Sequence, residues 1–353
     1  MSISAMPKTL FLSKVLPSWS DFSDEQLLEL PLQDVHIPLA KTGVHYFIDK
    51  LQHELGQKGI AYFRPRCFFS DEWFVADGTT SIAIPFYLAH KRLAALQKYF
   101  LYEIEGGTPG WFMQLLRHEC GHAIDNAYGL RRKKKRQTLF GKSSTPYDDY
   151  YIPKPYSKKH VIHLDTWYAQ SHPDEDFAET FAVWLNPKSA WKKRYKDWKV
   201  AYQKLQYVDE IMQKIGSTKP KNTSRSLYQP QSKIKKTLRQ HYKEKQAYYG
   251  VSFPKIYDVH LLKIFTNHPK HCKTMKASTF IKKIRKEVRR AVAPWTGTYQ
   301  YNIHQLIEEI IEQSALLDLH LRFDYEESKN QFISMLTLVT LEYIHSGNHR
   351  KAR

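Results

Sequence analysis

The residues of this chain whose types and spacing could do chemistry lie in two short stretches. The first is Arg117-His118-Glu119-Cys120-Gly121-His122-Ala123-Ile124-Asp125, in which two histidines stand four positions apart. On a 3.6-residue helix such a pair lies one above the other, so both imidazoles can reach one metal ion. Glu119 follows the first histidine directly and can lean toward a metal-held water as general base, which is zinc-hydrolase chemistry. A chain with 17 histidines contains such a pentapeptide by chance a few times in about a hundred. The motif therefore needs a partner elsewhere in the sequence.

The second stretch, Tyr168 to Leu185, supplies that partner. Pro173 opens a helix, Asp174, Glu175 and Asp176 complement the positive end of its dipole, and Asn186-Pro187 stops it. Glu175 and Glu179 are four apart and share a face. A hydrolytic zinc site needs a third protein ligand and one open position; a carboxylate at the start of a second helix suits the third place. The other carboxylate can accept the N–H of a ligand histidine and fix its tautomer. On these grounds Glu175 and Glu179 both qualify as ligand, with His172 a lesser candidate, while Asp125 reads as a capping or supporting acid. Cys120 is two positions from His118, faces the far side of the helix and is not a nucleophile.

These side chains need rigid elements to hold them. The first helix is clearly punctuated: Thr108 is an N-cap, Pro109 takes the tolerated first position, and Gly129 can close the end in the left-handed conformation. Phe112, Leu115, Leu116, Ala123 and Ile124 give it apolar contacts. Gly121 costs roughly 1 kcal/mol relative to Ala, acceptable where a sheet or metal comes close. Upstream, Ile60–Phe63, Trp73–Ala76 and Thr79–Ile84 read as strands, the last two joined at Asp77-Gly78, with Pro85 at a strand end or edge. Before them, Ser23 caps a first helix, and Val44, Phe47, Ile48, Leu51 and Leu55 carry helical spacing. After the motif helix, Arg131 to Arg136 reads as a solvated cationic surface, and a tyrosine- and proline-rich loop follows (Tyr147, Tyr150, Tyr151, Pro153, Pro155, Tyr156).

At 353 residues with 42% hydrophobic side chains, the chain can bury a large core and form two folding units. Its three cysteines form no Cys-x-x-Cys pair, which excludes a disulfide framework or zinc ribbon. Leu10-Phe11-Leu12 and Val15-Leu16 are too short for a signal core, Asp21, Asp24 and Glu25 follow, and no apolar run spans a bilayer. The expectation is a soluble cytoplasmic protein without a transmembrane segment.

The formal charge is +19, and Ser217 to Ala293 carries twenty Lys and Arg against three acids (Glu244, Asp258, Glu287). That segment reads as a linker and a charged helix around Ser232 to Tyr248, then a basic amphipathic helix with Ile281, Ile284 and Val288 inward. Two further amphipathic helices follow, marked by Ile303, Leu306, Ile307, Ile310, Ile311 and by Phe332, Met335, Leu336, Val339, Tyr343. Such a module could bind nucleic acid or another anionic surface through salt-sensitive phosphate contacts, although no recognised nucleic-acid motif is present. A plainly solvated basic face is the competing explanation.

Taken together, the two stretches resemble the gluzincin-type zinc peptidases whose small core occurs in the anthrax lethal factor protease domain and the secreted Pro-Pro endopeptidases. The likeness rests on His-Glu-x-Gly-His-Ala-hydrophobic-Asp at His118 to Asp125, and on Tyr-x6-Glu-x2-Ala-Glu-x-Phe at Tyr168, Glu175, Ala178, Glu179 and Phe181. The string Glu175 to Ala182 is also similar to a bacterial family of zinc-binding metallopeptidases. The resemblance covers about residues 59 to 190. It implies one zinc ion held by His118, His122 and Glu175, Glu119 as general base, Tyr168 stabilising the oxyanion, and Glu179 supporting a ligand histidine. Arg117 departs from the pattern, since these helices are usually apolar or neutral there.

The fold expected is α+β. A zincin-like core over residues 59–215 would hold a small twisted sheet with an edge strand, an active-site helix and a third-ligand helix. A helical lead-in (1–58) would precede it and a basic, mainly α-helical region (216–353) would follow. The expected activity is zinc-dependent hydrolysis of peptide or protein substrates. The alternative is a nucleic-acid- or anionic-surface-binding protein with a structural or vestigial zinc site.

Overall fold

The computed structural model describes residues 10–11, 16–148, 151–250 and 258–345. Leu12, Val15 and Tyr150 lie outside these. The chain begins with α1 (Asp24–Leu28) and α2 (Val44–Gln57), then the strands β1 (Arg66–Ser70) and β2 (Ser81–Pro85), then α3 (Lys91–Leu101). Next come α4 (Pro109–Tyr128), α5 (Lys134–Phe140), α6 (Pro173–Leu185), α7 (Trp191–Arg194), α8 (Lys199–Ile215) and α9 (Leu238–Tyr249). The remaining elements are α10 (Asp258–Ile264), β3 (Phe265–Thr266), α11 (Ala277–Thr296), α12 (Gln300–Leu316), β4 (His320–Leu321) and α13 (Tyr325–His345). A mainly helical chain with small two-stranded sheets is compatible with the α+β class.

Local sequence sets the ends of the helices that carry the site, and of α1. Ser23 forms a capping box with Gln26, each side chain accepting the other's backbone N–H. Thr108 caps α4 by accepting the Trp111 N–H, and Gly129 closes it at φ 60°. Pro173 is the first residue of α6, but the cap itself is His172, whose ring accepts the Asp174 N–H.

The sheet differs from the expected hairpin. Trp73–Ala76 is not a strand; Phe74 makes one isolated antiparallel bridge to Ala83, across the turn at Gly78 (φ 71°). The ladder of β2 runs parallel to β1 instead, with Phe68 opposite Ala83 and Ser70 opposite Pro85 at the end. All five residues of β2 are buried, so its backbone needs a full ladder and takes it from the nearest apolar extended segment. Ile60–Phe63 forms no strand either. Gly59 turns at φ 76°, the Ile60 N–H returns to the Leu55 carbonyl to close α2, and the Ala61 N–H bonds the Gly216 carbonyl.

By contacts the chain divides into two compact units, Met1–Tyr99 with Ile104–Tyr242, and Phe100–Glu103 with Lys243–Arg353. The first holds both chemistry-bearing stretches. There α4 and α6 cross so closely that a Cβ on Gly121 would lie 2.7 Å from the Ala178 Cα. The close approach that requires glycine therefore comes from a neighbouring helix, not from the sheet or a metal. On its other side α6 meets α8, where Lys204 Nζ lies 2.5 Å from Asp176 Oδ2 and the Trp184 indole donates to Asp209 at 2.8 Å. In the second unit α11 buries Phe280, Ile281, Ile284, Val288 and Val292 against Ile303, Leu306, Ile307 and Ile310 of α12 and Phe332 and Leu336 of α13. β3 and β4 pair antiparallel, Phe265 opposite Leu321. Among the described residues no helix is long and apolar enough to cross a membrane.

One buried group gives the first unit a pH dependence. His241 of α9 is 1% exposed, both ring nitrogens lack hydrogen-bond partners among the described residues, and Phe86 packs edge-on at 5.2 Å. Burial, helped by the charge of Lys236 and opposed by that of Asp71, pushes it down to about 3. A histidine whose folded pKa is lowered contributes its stability in full above the unfolded value of about 6.5, and loses it as pH falls toward 3 because only the unfolded chain takes up the proton. The slope expected from this group is about 1.4 kcal/mol per pH unit in that window. His241→Phe should flatten the fall in urea-unfolding free energy between about pH 6.5 and pH 4; an unchanged slope would remove His241 as its source.

Candidate metal centre

His118 and His122 project from successive turns of α4, and Glu175 from the first turn of α6. The two Nε2 atoms are 3.1 Å apart, and Glu175 Oε2 lies 3.0 Å from His118 Nε2 and 3.2 Å from His122 Nε2. A tetrahedral zinc ion about 2.0–2.2 Å from each donor needs donors about 3.3 Å apart, so this nitrogen–nitrogen–oxygen triangle fits one with only small adjustment. The three residues form a group that could hold a metal.

Glu179 does not join that triangle. Its Oε1 lies 2.7 Å from His118 Nδ1, and its Oε2 accepts the Leu164 N–H at 2.8 Å. This places Nδ1–H toward Glu179 and leaves the Nε2 lone pair of His118 facing the other donors. His172 also lies elsewhere, its Nε2–H donating to the Thr145 carbonyl at 2.8 Å and its Nδ1 capping α6. Asp125 accepts the Arg131 N–H at 2.7 Å and pairs with Arg136 at 2.9 Å.

Glu119, on α4 between the two histidines, is 7% exposed. Burial pushes its carboxyl up and the neighbouring Glu175 adds to that, against the pull of His118 and His122. Tyr168 sits on a short 3-10 helix, Asp165–Gln170, with its ring 5.7 Å from that of His118. Trp167 immediately before it holds a left-handed φ of 54°, a conformation that strains a large side chain and persists only where the surroundings impose it.

The charges of this pocket favour a cation. Burial works against charging His118, yet hydrogen bonds to Glu175 and Glu179 outweigh it and raise the group well above its ordinary value; His122 is raised by Glu175. Glu175 is held well below the usual carboxylate range, because the histidines overcome the burial that opposes its charge. Two carboxylates thus make positive charge favourable beside the imidazoles, and a divalent cation can supply it.

Three residues support the site in ways that their places in the sequence do not show. Arg117, the charged residue before the first histidine, is buried and makes two 2.8 Å bonds to Glu54 of α2. Arg136 was expected on a solvated surface; it is 0% exposed, and its Nη2 bonds Asp125 at 2.9 Å and Asp174 at 2.6 Å, tying α4 to the first turn of α6. Tyr147 donates its hydroxyl to Glu175 Oε1 at 2.9 Å. Only the density of tyrosine in that loop could have pointed to it.

Residues 112–214 match the model of a family described as "Putative zinc-binding metallo-peptidase". The matched segment contains both motif stretches, so over that part the chain is similar to a zinc-binding peptidase family. No curated protein and no solved structure matches the chain.

Proposed function

We propose that this protein is a zinc-dependent endopeptidase of gluzincin type, akin in its core to the lethal factor protease domain and the Pro-Pro endopeptidases. His118, His122 and Glu175 would hold one Zn2+. The observation that carries this reading is the convergence of three donor atoms from α4 and α6 within 3.0–3.2 Å of one another, with Glu119 buried beside them. Bound zinc supplies a Lewis acid that polarises the scissile carbonyl and makes water acidic near neutral pH.

The chain's own residues do the rest. Glu119 takes the proton from water and returns it to the leaving amine; its raised affinity for protons brings it nearer the operating pH, where a general base works best. The Tyr168 hydroxyl donates to the developing oxyanion. Glu179 keeps His118 in the Nδ1–H tautomer, so that Nε2 faces the metal.

The test is a comparison of new protein termini in cells carrying the wild-type chain or Glu119→Gln. A set of termini present only with the wild type is expected. An identical set, with stoichiometric zinc in both purified proteins, would overturn the assignment.

A second reading, nucleic-acid binding, is favoured by one face of α11. Lys282, Lys283, Lys286 and Arg290 are exposed there and make no ion pair among the described residues, whereas Arg285 of the same helix pairs with Glu308 at 3.1 Å. Each cation that meets a phosphate adds about 0.9 to the slope of log affinity against log salt. Lys282→Glu with Lys286→Glu should therefore weaken binding to duplex DNA or RNA at low salt and reduce that slope, read by a mobility shift. Salt-independent binding would remove the electrostatic role. If nucleic-acid binding were the sole activity and the zinc site structural, Glu119 would have no chemical task, so the peptidase reading stands first.

A further inference from the structure

Glu175 has two carboxylate oxygens, and they face different partners. Oε2 lies against both histidine Nε2 atoms, while Oε1 accepts the Tyr147 hydroxyl at 2.9 Å. Tyr147 is itself held. Its ring stacks on His172 at 3.6 Å between centroids and 15° between planes. His172 is fixed at both nitrogens, by the Asp174 N–H at 3.1 Å and the Thr145 carbonyl at 2.8 Å. Two residues earlier than Thr145, the Ser143 hydroxyl donates to Asp174 Oδ1 at 2.5 Å. The segment from Ser143 to Tyr147 is thus pinned to the first turn of α6 at three places, and the Tyr147 hydroxyl arrives at Glu175 on a fixed frame.

This matters for coordination number. A carboxylate can hold a metal through one oxygen or two. With two histidines present, a two-oxygen grip would complete a four-coordinate shell, whereas a hydrolytic site must keep one position for water. A hydrogen bond from a phenol to a buried carboxylate oxygen is charge-assisted and competes with that second metal contact.

We propose that Tyr147 is a positioning residue of the metal centre: by engaging Glu175 Oε1 it makes Glu175 a ligand through Oε2 alone and keeps the fourth position for water. This rests on the metallopeptidase reading above. It separates the two tyrosines of the site. Tyr147 is committed to the ligand carboxylate, and Tyr168, beside the His118 ring, is the one left to meet substrate.

Tyr147→Phe in the full-length chain tests it, because the ring and its stack on His172 remain and only the hydroxyl is lost. Zn2+ affinity, measured by competition with a chelating dye, should change by about tenfold or more, the usual size of effect when a metal ligand loses its partner. The visible absorption of the Co2+-substituted protein should change from that of wild type, because the freed Oε1 alters the ligand set. Wild-type Zn2+ affinity with an unchanged Co2+ spectrum would overturn the role of Tyr147 and leave the peptidase reading untouched. Failure of the wild-type chain itself to bind either ion would overturn both.

Discussion

Glu119→Gln is expected to lower kcat for peptide hydrolysis by about 10²–10⁴-fold while zinc content stays at the wild-type level. The amide keeps the shape and burial of the carboxylate but cannot accept a proton, so the loss is that of general-base catalysis. Retention of zinc follows from the geometry: the converging donors are His118 Nε2, His122 Nε2 and Glu175 Oε2, and Glu119 is not among them. The check is steady-state hydrolysis of a substrate found by terminus mapping, with zinc measured in the same samples. A variant that cleaves at the wild-type rate would take Glu119 out of the reaction. A variant that loses zinc would instead make Glu119 part of the metal's support.

Arg136→Met is expected to destabilise the first unit by about 3–5 kcal/mol, the cost of removing one partner from a buried ion pair. The guanidinium is wholly buried and serves two carboxylates, Asp125 at the end of α4 and Asp174 at the start of α6. Its removal leaves both acids in a site where burial already pushes Asp125 up despite the two arginines that pull it down. Arg131, 3.7 Å from Asp174, offsets only part of this. Adding Asp125→Asn and Asp174→Asn to the variant should recover much of the loss, because neutral groups tolerate burial better. Urea unfolding measures both. A loss below about 1 kcal/mol for the single variant would mean that the pair is as weak as a surface bridge. Asp174 neighbours Glu175, so a weaker hold on zinc should accompany the loss of stability.

The helices bearing the candidate site were legible in the sequence because their signals are local. Thr108, Pro109 and Gly129 bound α4, and Pro173 opens α6, through backbone geometry that each residue imposes on its own neighbourhood. The i, i+4 spacing of His118 with His122, and of Glu175 with Glu179, follows from helical pitch alone. The strands were less legible. Trp73–Ala76 is apolar throughout and ends in a turn, yet β2 took its ladder from Arg66–Ser70, because strand pairing is decided by which segment can cover a buried edge, and this is a property of packing rather than of the strand itself.

The same division holds for charge. Six cations in a row, Arg131 to Arg136, carry no mark of which one is to be buried; the fold selects Arg136 because two acids from separate helices converge on it. Arg117 likewise looks misplaced until Glu54 of α2 is beside it.

What the sequence determined by itself was the set of residue types and local spacings: two imidazoles and an acid on one helix, two stacked carboxylates on another, and a basic, amphipathic C-terminal region. What only the tertiary structure decided was which atoms meet. The crossing of α4 and α6 at Gly121 and Ala178 brings Glu175 to His122 over a separation of 53 positions and puts Glu179 behind His118 rather than in front of it, and the loop before α6 sets Tyr147 on the other oxygen of Glu175. The physical reason is range. Helix pitch and capping act over a turn or two of chain, whereas the choice between two carboxylates one turn apart is made by the angle and depth at which two helices pack.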